Sequence, residues 1–93
     1  MTKLFRRRFI RLPLKLNQQV YYIGFGGELF LGVVREIDIY FIDNGKEVDI
    51  DFRVHPIVEG KELEIVDYFS DEEVNKKIFT SKRKAKRHMK SSR

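Results

Sequence analysis

From Gln19 to Phe69 apolar and polar residues alternate with a period of two, and the apolar ones are mostly β-branched or aromatic. That period puts neighbouring side chains on opposite faces of a strand, so the middle of the chain predicts short antiparallel strands. Residues 20–23 form the first, closed by the turn Gly24-Phe25-Gly26-Gly27. Residues 29–40 are too long for one flat strand, and Gly32 within them predicts a bulge or bend at a barrel corner. Asn44-Gly45 after Asp43 predicts a two-residue hairpin turn. Beyond it Val48, Ile50, Phe52 and Val54 face one side and Glu47, Asp49, Asp51 and Arg53 the other, so one face packs and one is solvated. Pro56 is expected to stop that strand, and a turn at Glu59-Gly60 leads into a last one over residues 63–69. Four or five strands result, making the chain mainly β.

The pattern changes at Ser70. Ser70 and Glu73 have the spacing of a capping box, which predicts a short helical turn, and Thr80 offers a second N-cap. From Ser81 onward Ala85 and Met89 share a helical face too narrow to bury much. Lysine and arginine in the first turn oppose the helix dipole, so this helix is expected to fray unless a partner supplies negative charge. Near the other end Leu12, Leu14 and Leu16 alternate like an edge strand, while Leu4, Phe5, Phe9 and Leu12 would also make a short amphipathic face. The chain therefore divides into a basic N-terminal arm or edge strand (1–16), a small β-barrel (17–69), and a capped turn with a basic C-terminal helix or tail (70–93).

With 93 residues there is room for one modest core. Charge changes the picture more than size does. The net +5 hides an asymmetry. Residues 1–16 hold six bases and no acid, residues 17–72 hold thirteen acids against four bases, and residues 73–93 hold nine bases against Glu73. An acidic body thus lies between two basic ends. The absence of cysteine excludes disulfides, thiolate metal sites and a cysteine nucleophile. No secretory signal pattern and no apolar run of about 18 residues is visible, so a cytoplasmic protein without integral membrane association is expected.

Three stretches carry a resemblance: Leu14-Lys15-Leu16-Asn17-Gln18-Gln19-Val20-Tyr21-Tyr22-Ile23, Gly32-Val33-Val34-Arg35-Glu36-Ile37, and Ile78-Phe79-Thr80-Ser81-Lys82-Arg83-Lys84-Ala85. In that order they resemble the opening "Gly-Asp-x-Val-Tyr" strand, the "Gly-x-Val-x-x-Ile" strand and the closing "Val-Phe-x-Thr-x-x-x-Ala" helix of small proteins from phages and prophages of Gram-positive bacteria. The resemblance spans roughly residues 14–87. It implies a Src-homology-3-like small barrel with a terminal helix, and no assigned activity. This chain departs from the pattern at Asn17, where glycine is usual, and at Lys82, Arg83 and Lys84, where acids are usual.

Candidate chemistry points to binding, not catalysis. His55 and His88 are the only histidines, and no serine sits in a nucleophile motif, so no catalytic residue is assigned. The glycines at 24–27 lack a following Lys-Ser/Thr and precede a strand, so they make a turn and no phosphate loop. Glu47, Asp49 and Asp51, with Glu62 and Glu64, are carboxylates of the kind hard cations choose, but their spacing matches no metal-binding loop. They read as a solvated face or as a partner for the basic ends, and no metal or cofactor is assigned. The sharper expectation is DNA or RNA. Arg6, Arg7, Arg8 and Arg11 would form one phosphate-binding arm, and Lys82, Arg83, Lys84, Lys86, Arg87, Lys90 and Arg93 the other. Tyr21, Tyr22, Phe25 or Phe30 on an open barrel face would supply base stacking. The alternative is a protein-interaction module that uses a barrel edge or loops, with head-to-tail self-association as one form of it. Attachment to a membrane surface through Phe5, Phe9 and Ile10 ranks third.

Overall fold

The structure, a computed structural model, describes residues 11–91. Among these, six strands and one α-helix follow in the order β1 (Gln19–Ile23), β2 (Leu29–Ile42), β3 (Glu47–Val58), β4 (Lys61–Glu62), β5 (Asp67–Ser70), β6 (Ile78–Phe79) and α1 (Lys82–Ser91). A single 3₁₀ turn, Asp71–Glu73, separates β5 from β6. All strand pairings are antiparallel, in the order β4-β3-β2-β1-β6, with β5 on β3 beside β4. The sheet curls without closing. No ladder joins β6 to β4 or β5 among the described residues, so the expected closed barrel becomes an open, strongly bent sheet. Side chains bridge part of the gap: the rings of Tyr22 on β1 and Phe69 on β5 meet edge to face at 5.1 Å.

The alternation reads directly into the core. Val20, Tyr22, Val34, Ile50, Phe52, Val54 and Phe69 all project from the inner face and pack with Leu14 and Ile78 into one buried cluster. Gly32 belongs to this face. A Cβ there would lie 2.7 Å from Val54 and 2.9 Å from the Tyr22 ring, so glycine is required by close packing. The bulge expected at Gly32 lies at Arg35 instead, where the β2–β3 register slips between Val34 and Glu36. The extra residue restores the inward phase, which is why Val34 and Ile37, three apart, share one face.

Other boundaries move for local reasons. Both Asp43 and Asn44 have positive φ (56° and 55°), and the Gly45 N–H donates to the Ile42 carbonyl, so the tight turn is centred one residue earlier than Asn44-Gly45. Pro56 does not end β3. It is buried opposite Gly32, and its carbonyl still accepts the Leu63 N–H at 2.8 Å, since proline lacks only the donor. The strand expected over residues 63–69 is divided, with residues 63–66 irregular between β4 and β5. Residues 11–18 form no edge strand. Leu14 alone of the three leucines is buried, and Asn17 turns the chain with φ 66°, a conformation asparagine tolerates.

The outer face carries a second, smaller apolar layer. Tyr21 pairs with Phe79, and α1 packs across β1 and β6, burying Ala85 together with Phe79 and Val33. Ser81, not Thr80, caps this helix: its hydroxyl accepts the Lys84 N–H at 3.2 Å. Glu73 supplies the expected carboxylate half of the capping box, accepting the Ser70 N–H at 2.8 Å.

Candidate nucleic-acid interface

Helix α1 buries one side and exposes the other. With Ala85 inward, the 100° step per residue sends Arg83, Arg87 and Lys90 outward, with Lys84, Lys86 and, closer in, Lys82 on the flanks. All six are exposed, and the helix contains no acidic residue. Among the described residues no carboxylate forms an ion pair with Lys82, Arg83, Lys84, Lys86 or Lys90. From Lys82 to Lys90 the arc of positive charge is about 12 Å long at 1.5 Å per residue.

The two arginines of the acidic body, Arg35 and Arg53, pair with three of its own carboxylates. On the outer face of the β2–β3 hairpin, Arg53 Nη1 donates to Glu36 and Arg53 Nε donates to Asp38, each at 2.8 Å, and the guanidinium lies 5.5 Å from the centre of the Tyr68 ring. Those carboxylates, Asp38 first, hold the guanidinium above its usual pKa. Arg35, displaced by the bulge, reaches sideways. Its Nε donates to Glu62 at 2.9 Å and its Nη1 to Asn17 at 2.7 Å, tying β4 and the Asn17 turn to β2. The Arg35 hydrogen bond holds the Glu62 carboxyl below its ordinary range. The remaining hairpin acids, Glu47, Asp49 and Asp51, lie beyond the last β1 pairing, away from the strands that carry α1. No group of three acids or histidines among the described residues is placed to hold a metal ion.

The aromatic candidates separate. Tyr22 is buried at 4% exposure, and its hydroxyl donates to Asp67 at 2.7 Å. Burial first, then that bond, pushes its phenol above the ordinary tyrosine range. It is a core residue, which corrects its assignment to base stacking. Tyr21 is half-buried on the face that α1 covers. Phe30 is half-buried and stacks on Tyr22 at 5.7 Å. Phe25, by contrast, is fully exposed. Arg11 is exposed, and Arg6, Arg7, Arg8 and Arg93 lie outside the described residues.

One feature escaped the sequence reading. The inner face of the curled sheet opens at one end into a cavity of about 810 Å³. Its walls come from the turn after β1 (Gly24, Phe25, Glu28), the irregular segment before β5 (Leu63, Ile65) and the turn before β6 (Lys76, Lys77). Segments so far apart in sequence leave no local signal. A neighbouring cavity of about 350 Å³ lies between Asn75, Phe79 and the α1 residues Lys84 and Arg87, and His88 lines both. No family model, curated protein or solved structure matches this chain. No helix among the described residues is long and apolar enough to cross a membrane.

Proposed function

We propose that this chain is a non-catalytic, nucleic-acid-binding protein of the Src-homology-3-like kind with an incompletely closed sheet, encoded by a phage or prophage, that holds phosphates on α1 and on its N-terminal arginines. One observation carries the proposal: Lys82, Arg83, Lys84, Lys86 and Lys90 stand exposed without a carboxylate ion pair among the described residues, while the body's arginines are the ones that meet its acids. Cations left in water on a helix whose first turn disfavours them add nothing to the fold, and phosphate is the ligand that would use them. Five phosphate contacts on a single strand give a salt slope of about −3.5, so affinity should fall roughly a hundredfold between 50 and 200 mM salt. Fluorescence anisotropy with labelled oligonucleotides measures this, and no binding at low salt overturns the proposal.

A second reading has its own support. The tip of the β2–β3 hairpin exposes Tyr40, Phe41 and Ile42, whose relative exposures are 49%, 57% and 39%, beside strand edges that no other described strand pairs. Exposed apolar residues beside a free edge favour a protein contact or self-association. Light scattering after size exclusion distinguishes the two: a salt-insensitive oligomer would support the protein contact.

A further inference from the structure

We propose that the open end of the curled sheet is a base-stacking groove for single-stranded nucleic acid, with Phe25 as its stacking ring; this rests on the nucleic-acid reading above. Phe25 sits between two glycines in a turn held by the Gly24 N–H to the Glu28 carbonyl at 2.8 Å and by the Gly27 N–H to the Gly24 carbonyl at 3.0 Å. A Cβ at Gly24 would come within 2.3 Å of the Phe30 ring, so glycine lets Phe30 lie against the turn while the next residue points into water. The result is a phenyl ring carried on a hydrogen-bonded turn and fully exposed. It is not isolated. Val58 and Ile65, both exposed, line the same cavity of about 810 Å³, so Phe25 shares it with other exposed apolar side chains.

Charge decides what would cover that surface. Lys76 and Lys77 stand on its rim, and through His88 the groove meets the cavity bordered by Lys84 of α1. Two of the three lining carboxylates are already engaged: Asp67 accepts the Tyr22 hydroxyl, and Glu73 accepts the Ser70 N–H and pairs with Lys77 at 3.1 Å. Glu28 is the third, and its carboxylate lies over Gly26 in the turn. With Lys77 paired to Glu73, the cations open to a ligand are Lys76 on the rim and Lys84 of α1 beyond His88, and an apolar floor leading toward them fits a strand whose bases stack inward and whose phosphates run out onto α1. An apolar peptide would use the floor and leave the cations idle. A duplex, with its bases already stacked, would use the cations and leave the floor empty.

The test compares three labelled probes by anisotropy: a dT 20-mer, an abasic 20-mer of the same charge, and a 20-base-pair duplex. Stacking on an aromatic ring is worth about 5- to 150-fold per base. The dT strand should therefore bind at least about fivefold tighter than the abasic strand, and Phe25→Ala should remove most of that difference without changing abasic binding. The ring is fully exposed, so the variant should keep the wild-type melting temperature. Equal affinity for dT and abasic strands, or a preference for the duplex that Phe25→Ala leaves unchanged, overturns the groove while leaving phosphate binding by α1 intact. Failure of all three probes to bind overturns both.

Discussion

Phe52→Ala is expected to cost about 3–5 kcal/mol of folding stability, the usual range for removing a fully buried aromatic side chain. Phe52 is completely buried at the centre of β3, pairing across to Ile37 on one side and Phe69 on the other. Both neighbouring strands are therefore anchored on this ring. A chain this small has stability of only about 5–15 kcal/mol, so the loss takes a large part of the total. Thermal denaturation followed by circular dichroism should show a melting temperature lowered by roughly 10 °C or more. A shift of only a few degrees would mean that the inner face is not the main core.

The second large effect concerns α1. Reversing three outward or flanking charges, Lys82→Glu, Lys86→Glu and Lys90→Glu, should lower oligonucleotide affinity by more than a hundredfold at low salt, because three phosphate contacts are lost and three repulsions replace them. The fold should barely notice. The main core contains no α1 residue, the three side chains are exposed, and an acid at Lys82 suits the helix dipole better than the lysine does. Melting temperature and affinity are thus expected to separate. If both fall together, α1 is a structural element and its charge pattern carries no ligand.

Much of the sheet was legible because burial imposes the period of two. Val48, Ile50, Phe52 and Val54 lie on one face, as their alternation requires, and Val20 and Tyr22 do the same on β1. That spacing also marks Tyr22 as a core residue, a signal that outweighs its aromatic candidacy for stacking. The bulge was readable in a different place from the one glycine suggests. Gly32 and Val34 point inward, and so does Ile37, so the phase slips at Arg35-Glu36. Pro56 misleads because proline forbids one hydrogen bond, not a strand: its carbonyl remains available to Leu63. The groove was beyond reach, since curling of the sheet, not any local motif, brings Phe25, Ile65 and Lys76 to one opening. The basic helix was legible as charge, but which of its cations lack a carboxylate partner was not. Only the fold shows that Arg35 and Arg53 meet Glu62, Glu36 and Asp38 while, among the described residues, Lys82, Arg83, Lys84, Lys86 and Lys90 of α1 are exposed without a carboxylate ion pair.

Titrating the isotopically labelled protein with a dT 20-mer and following its amide resonances locates the ligand directly. Contact along α1 and the groove predicts that the largest shifts fall on residues 82–90, 24–28 and 76–77, with the hairpin acids Asp49 and Asp51 unmoved. Shifts confined to the β2–β3 hairpin, or none at low salt, would contradict it.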